Sequence, residues 1–151
     1  MLENCYTPGT VVRFVLHVPL SMQCYSEMAA TDSAPKFELV FYLKALLLTL
    51  ILEAPFYRWC LEGRSAKAFL TALVLCNLAT HPMVFYGFPA LATTWQIPTY
   101  INLLVSEIFA PSVEAILLLI VWGVRPWKAS ASMFAANFFS WWMGGILWAQ
   151  F

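Results

Sequence analysis

The chain has 151 residues, of which 62% are hydrophobic and only 11% are charged. A soluble domain carries about 25% charged residues, so this composition excludes an ordinary soluble protein and indicates an integral membrane protein. Eight basic and eight acidic residues give a formal net charge of zero. Because no basic stripe with interleaved aromatic residues is present, nucleic acid is excluded as a partner and the lipid bilayer is the expected one.

The first part of the chain, residues 1–35, differs from the rest. Its apolar stretch, residues 11–20, is interrupted by Arg13, His17 and Pro19. The stretch is too short to cross a bilayer, because a spanning helix needs about 20 apolar residues. No basic residue precedes Arg13, which is atypical of a signal peptide. We predict an N-terminal tail over 1–35 and a transmembrane domain over 36–151. Two interpretations of residues 1–27 stay open, namely an interfacial tail and an upstream extension from a misplaced start codon.

Four apolar segments follow this tail, and each is long enough to be a membrane span. The predicted spans are residues 38–60, 68–88, 100–122 and 129–148. The stretch 89–98 contains two prolines and no charge, so we predict a loop at the membrane interface there. The sequence therefore predicts an all-α fold, a polytopic membrane protein with a bundle of four transmembrane helices.

The basic residues predict the orientation of this bundle. The first and third loops share one side of the membrane, and their basic residues are Arg58, Arg64, Lys67, Arg125 and Lys128. The opposite side carries Lys36 and, near the surface, Lys44. Because cytoplasmic loops are enriched in Lys and Arg, we expect the basic loops in the cytoplasm and both termini outside. The expected location is the cell inner (plasma) membrane, crossed several times.

Polar side chains inside the spans predict a polar intramembrane site. Glu107 and Glu114 are an i,i+7 pair on one helix face, and the other helices carry pairs at i,i+3 or i,i+4 spacing. Isolated polar groups in hydrocarbon cost several kcal/mol, so these faces should turn inward and satisfy one another. The predicted site consists of Glu53, Asn77, His81, Glu107, Glu114, Asn137 and Ser140.

Counting along the helices predicts that this site has two levels. Glu114 should lie with Glu53 and Asn137 at the level nearer the cytoplasm. Glu107 should lie with His81 at the level above it. Seven residues separate the two glutamates of the third span, which corresponds to about 10 Å along a helix axis.

Several functions are compatible with such a site. An accessory or structural subunit, with a larger membrane protein complex as its partner, needs only hydrogen bonds between the helices. A proton- or cation-handling transport protein would use the carboxyl groups and His81 along its path. A metal-dependent intramembrane enzyme would use His81, Glu107, Glu114 and Glu53 as candidate ligands, although their spacing matches no zinc or di-iron motif. The sequence assigns no catalytic residue and no cofactor.

The order of the polar motifs resembles a family of small bacterial four-span membrane proteins of uncharacterised function. The motifs are Glu53-Ala-Pro55, Asn77-Leu-Ala-Thr80-His81-Pro82, Glu107 with Glu114, and Asn137-Phe-Phe-Ser140 followed by Gly144. In that family each helix carries one such motif in this order. The resemblance covers residues 38–145, implies the same four-span fold and the same polar residues, and implies no activity.

Overall fold

The computed structural model describes residues 34–148, and it describes side chains over 39–147. The predicted tail, residues 1–35, lies outside the described residues except for its last two positions, so its two interpretations stay open. The chain from Tyr42 onward forms one compact unit. All side-chain contacts described below belong to this unit.

Every regular element in the described part of the chain is helical. Helix α1 is Ala34–Cys60 and helix α2 is Ala66–Pro82. A π-helical segment, Met83–Gly87, connects α2 directly to helix α3, Phe88–Trp95. Helix α4 is Thr99–Trp122 and helix α5 is Pro126–Trp148. The all-α prediction is thus confirmed for the described residues.

Local chemistry explains where α2 begins and α4 ends. The Ser65 side chain accepts a hydrogen bond from the backbone N–H of Ala68 at 3.2 Å, which satisfies one of the N–H groups left free at a helix start. At the end of α4, Gly123 has a φ of 59°, a left-handed conformation that glycine adopts without a steric penalty. Its N–H donates to the carbonyl of Leu119 at 3.0 Å, so the helix stops there.

Three of the helical stretches are long and apolar enough to cross a membrane, namely Leu39–Cys60, Ala66–Trp95 and Thr99–Trp122. Large apolar side chains cover their outer surfaces, and Ile120, for example, is 72% exposed. The buried face of α4 instead consists largely of small and polar residues, among them Asn102, Ser106 and Ala110. An apolar exterior around such an interior is what lipid as a solvent requires, so the chain is a multi-pass membrane protein.

The predicted loop over 89–98 is wrong, because the chain stays helical to Trp95. Pro82 and Pro89 have no N–H, and the π-helical segment lies between them, with the Phe88 N–H donating to the Met83 carbonyl. A π-helical turn shifts the hydrogen-bond register by one residue, which lets the helix continue past both prolines. The actual link, Gln96 to Pro98, begins where Gln96 takes a left-handed φ of 52°.

The helices pack so that the first and third loops lie at the same end of the bundle, as predicted. Helix α4 packs against α2 and α5, and the Arg64 guanidinium donates to the Trp122 carbonyl at 2.9 Å. Lys128 lies 3.8 Å from the Glu62 carboxyl group. We call this end the basic end. Next to it lies an apolar core that includes Tyr57, Cys60, Leu61, Ala72, Leu73, Cys76, Ala115, Leu118, Val124, Ala129 and Met133.

Candidate intramembrane site

A cavity of about 180 Å³ lies between the helices, beyond the apolar core as seen from the basic end. It has the volume and the polar groups needed to hold water molecules. All seven residues of the predicted polar site line it, together with six others. The lining residues are Thr49, Glu53, Asn77, Thr80, His81, Val84, Ser106, Glu107, Ala110, Glu114, Asn137, Ser140 and Trp141.

Glu53 of α1 is 1% exposed and connects three helices. Its Oε2 accepts a hydrogen bond from Asn77 Nδ2 of α2 at 3.0 Å. Its Oε1 lies 2.9 Å from Ser140 Oγ of α5. The second proton of the Asn77 amide goes to the Leu73 carbonyl at 3.1 Å, so this amide has no unused donor.

Glu114 of α4 is also 1% exposed, and its surroundings repeat those of Glu53. Its Oε2 accepts from Asn137 Nδ2 of α5 at 2.9 Å, and its Oε1 lies 2.8 Å from Thr80 Oγ1 of α2. Asn137 donates its second proton to the Met133 carbonyl at 3.1 Å. The predicted contact between Glu114 and Asn137 is therefore present.

The two carboxyl groups are held by two equivalent motifs that are shared crosswise between them. Helices α2 and α5 each carry Asn followed three residues later by a hydroxyl residue, as Asn77 with Thr80 and Asn137 with Ser140. Each glutamate takes the amide of one motif and the hydroxyl of the other. The hairpin α1–α2 and the hairpin α4–α5 thus contribute equivalent groups to one site.

Each hydroxyl group of the two motifs has one proton but lies within hydrogen-bond distance of two oxygen atoms. Thr80 Oγ1 lies 3.1 Å from the Cys76 carbonyl as well as 2.8 Å from Glu114. Ser140 Oγ lies 3.1 Å from the Asn137 carbonyl as well as 2.9 Å from Glu53. A hydroxyl group donates one proton and accepts through two lone pairs. Both contacts of each hydroxyl become full hydrogen bonds when the carboxyl group carries a proton and donates it to the hydroxyl.

Glu107 and His81 lie further from the basic end than these carboxyl groups. At about 1.5 Å per residue, Glu114 lies about 12 Å from the end of α4 at Trp122, and Glu107 lies about 22 Å from it. His81 lies at a similar height on α2, about 22 Å from Ala66. Among the described residues, no hydrogen-bond partner contacts His81 Nδ1. No hydrogen bond joins Glu107 to His81, or Glu53 to Glu114, in that part of the chain, although all four line the same cavity.

Aromatic side chains surround His81 on the side away from the basic end. The ring of Tyr42 lies edge-on to His81 with centroids 5.2 Å apart, and Phe85 stacks on His81 at 5.7 Å. Tyr42 also stacks on Tyr86 at 5.3 Å. Two of these rings, Phe85 and Tyr86, belong to the π-helical segment, so the register shift after Pro82 determines where they lie.

The opposite side of the cavity is closed by the apolar core. Tyr57, Leu118 and Met133 are each 0% exposed. Each lies four residues nearer the basic end than the polar residue of its helix, which is Glu53, Glu114 or Asn137. Water and ions cannot cross such a packed layer unless it opens. The cavity is therefore separated from the basic end.

The four candidate metal ligands, His81, Glu107, Glu114 and Glu53, all line the cavity. In the described part of the chain, no group of three or more His, Cys, Asp or Glu side chains is arranged to hold a metal ion. The physical reason is that the oxygens of Glu53 and Glu114 face amide and hydroxyl groups of neighbouring helices. The four residues share one cavity without converging on a common point.

Six lining residues were not in the predicted site, and for three of them the sequence contains a signal. Thr49 precedes Glu53 by four residues, and Thr80 follows Asn77 by three. Ser106 follows the amide residue Asn102 by four residues, and Ala110 precedes Glu114 by four, which puts each on the helix face of its polar neighbour. A search at i±3 and i±4 from each carboxyl and amide group would have found Thr49, Thr80 and Ser106. Val84 and Trp141 carry no such polar signal.

The fold and the cavity define a class: a helical multi-pass membrane protein with a polar, carboxyl-lined cavity between its helices. No protein-family model, no curated protein and no solved structure matches the chain.

Proposed function

We propose that the cavity binds a small cation inside the membrane and passes it on, with the proton as the first candidate. The observation that carries this proposal is the arrangement of acids in one cavity. Glu53 and Glu114 are each held against a hydroxyl group that has one proton for two acceptors. Beyond them, Glu107 and His81 line the same cavity. Carboxyl and imidazole groups in membrane spans are the usual carriers of a proton relay.

A purely structural network would use all of its polar groups, because an unsatisfied polar group in a membrane interior is costly. Glu53 and Glu114 satisfy this requirement through hydrogen bonds that tie the helices together. Among the described residues, Glu107 forms no hydrogen bond and His81 Nδ1 has no partner. Tyr57 Oη and Ser132 Oγ are also buried without a hydrogen-bond partner in that part of the chain. Glu107 and His81 differ from them because they line the cavity, where a cation could reach them.

The proposal also includes a gate. The layer of Tyr57, Leu118 and Met133 separates the cavity from the basic end. A cation therefore reaches the cavity from the other side in this conformation, and transport across the membrane needs the layer to open. Such a change between two packed arrangements is the usual basis of alternating access.

Replacing Glu107 by glutamine tests the proposal. The change keeps the side-chain shape and removes the charge, and no hydrogen bond within the described residues is broken. We expect proton uptake into liposomes, driven by a potassium diffusion potential and followed with an entrapped pH indicator, to fall at least about tenfold, since a positioned proton-transfer group contributes about 10²-fold or more. The thermal midpoint of unfolding should not change.

The matched control is Glu62→Gln, because the Glu62 side chain is 76% exposed at the basic end. This variant should conduct like the wild type. Sodium and potassium uptake, measured in parallel, identify another small cation if protons are not carried. Wild-type liposomes that pass none of these ions, or a Glu107→Gln variant that passes them at the wild-type rate, would contradict the proposal.

We also propose that α5 is a fourth span and that the basic end faces the cytoplasm. Helix α5 has 23 residues, which is long enough to cross a bilayer. It packs against α4, and Phe138 is 63% exposed on its outer surface. The basic residues at the beginning of α5 agree with the positive-inside rule. In this arrangement the cell inner membrane holds the protein with both termini outside.

Reporter fusions test the fourth span and the orientation together. An alkaline phosphatase domain fused after Val124 should be inactive, because that position would be cytoplasmic. The same domain fused after Phe151 should be active outside the cytoplasm. Equal activity of the two fusions would show that α5 does not cross, and the reverse pattern would show the opposite orientation.

The other sequence-based interpretations stay predictions. An accessory subunit of a larger membrane complex remains compatible with the crossed hydrogen bonds, and it would be favoured if the Glu107 variant kept all ion uptake. The resemblance to small bacterial four-span proteins also stays a prediction.

A further inference from the structure

A second cavity lies at the basic end, apart from the intramembrane site. Its volume is about 440 Å³. The residues around it come from the last turn of α1, from the first and third loops and from the first turn of α5. They are Trp59, Cys60, Leu61, Glu62, Arg64, Val124, Arg125, Trp127 and Lys128.

The charged side chains of this cavity are mainly cationic. Arg64, Arg125 and Lys128 line it, and Glu62 is the one acidic lining residue among those the structure describes. Arg64 uses one guanidinium nitrogen to hold the Trp122 carbonyl at 2.9 Å, which fixes the side chain in the cavity wall. A guanidinium group has five N–H donors, so this contact leaves donors for a ligand.

Helix α5 adds positive potential to the same wall. The helix begins at Pro126. The Ala129 N–H donates to the carbonyl of Arg125, four residues earlier, at 3.0 Å. The N–H groups of Trp127 and Lys128 therefore lie in the first turn, where backbone donors and the helix dipole favour an anion. Both residues line the cavity.

Two tryptophans indicate the depth of this cavity in the membrane. Trp59 is 47% exposed and Trp127 is 63% exposed, and Lys128 Nζ lies 5.6 Å from the centre of the Trp59 ring. Tryptophan is enriched at the level of the lipid headgroups. The cationic cavity is thus at the height where lipid phosphate groups lie.

We propose that this cavity binds the phosphate group of an anionic phospholipid headgroup. Arg125 and Lys128 attract the phosphate, Arg64 donates hydrogen bonds to its oxygens, and Trp59 and Trp127 pack beside the glycerol and upper acyl carbons. Basic pockets between membrane helices bind anionic headgroups in this way. The site is independent of the intramembrane cavity and of what passes through it.

Two double variants with the same loss of charge test this site. The first is Arg125→Gln with Lys128→Gln, which removes cations from the cavity. The control is Arg58→Gln with Lys67→Gln, which removes two exposed cations of the same end that do not line the cavity. Native mass spectrometry of the purified protein in detergent measures binding of phosphatidylglycerol, of phosphatidylcholine with the same acyl chains, and of inorganic phosphate.

We expect the wild type and the control to bind phosphatidylglycerol alike and in preference to phosphatidylcholine. The cavity variant should bind it about 30-fold more weakly, because it loses two cations that contact the phosphate, whereas the control loses cations outside the cavity. If that variant is unfolded, Arg125→Gln alone replaces it, because Arg125 is exposed. Equal weakening by the two double variants would overturn the proposal. Inorganic phosphate that binds as tightly as the lipid would show that the ligand comes from solution, which also overturns it.

Discussion

Replacing Glu114 by alanine is expected to destabilise the folded protein by more than the truncation of a cavity residue that has no hydrogen bond. The change removes the carboxyl group that contacts the Asn137 amide at 2.9 Å and the Thr80 hydroxyl at 2.8 Å. Hydrogen bonds between membrane helices contribute about 0.6 to 1.7 kcal/mol each, so the loss of two should cost about 1 to 3 kcal/mol. Thermal unfolding in detergent measures this effect as a lower midpoint.

Two other glutamates provide the comparison. Glu53→Ala should cost about as much as Glu114→Ala, because Glu53 has an equivalent amide and hydroxyl partner on two helices. Glu107→Ala should cost much less, because the described residues give it no hydrogen bond to lose. If all three variants had the same midpoint, the crossed hydrogen bonds would contribute nothing to stability, and that result would contradict the structural argument.

The sequence predicts which residues line the cavity better than it predicts how they pair. The residue types at helical spacing identify Glu53, Asn77, Glu114 and Asn137, since an apolar helix must turn its polar groups inward. The pairing depends on the rotation of each helix about its axis. A shift of one residue rotates a side chain by about 100°, so sequence spacing alone cannot distinguish Asn77 from Asn137 as the partner of Glu53.

The same limit explains the wrong loop between the second and third predicted spans. Proline is typical of loops, so Pro89 and Pro98 predict a loop between them. Pro82 and Pro89 are instead tolerated inside one helical stretch by the π-helical segment between them. A π-helical turn is set by the local hydrogen-bond register, which composition does not encode. The π-helical segment also affects the intramembrane site, because it positions Phe85 beside His81.

Filling the intramembrane cavity is expected to stop ion uptake completely while leaving every polar group in place. Ala110 lines the cavity, is 6% exposed, and lies one helical turn from both Glu107 and Glu114. A phenylalanine at this position would extend into the cavity of about 180 Å³ and displace water and ions from it. We expect Ala110→Phe to reduce proton uptake to the level of protein-free liposomes.

The control for this variant is Ala136→Phe, because Ala136 is 0% exposed but lies neither in the cavity lining nor in the apolar core that holds the proposed gate. Overpacking a densely packed interior costs about 1 to 3 kcal/mol, so the control should have a lower thermal midpoint and should still transport ions when folded. Ala110→Phe should lose less stability, because its ring enters existing space. If the cavity has only a structural role, Ala110→Phe should take up ions at the wild-type rate. The reason is that a filled cavity leaves the hydrogen bonds of Glu53 and Glu114 in place. Uptake by this one variant therefore separates a cavity that carries ions from one that merely remains between packed helices.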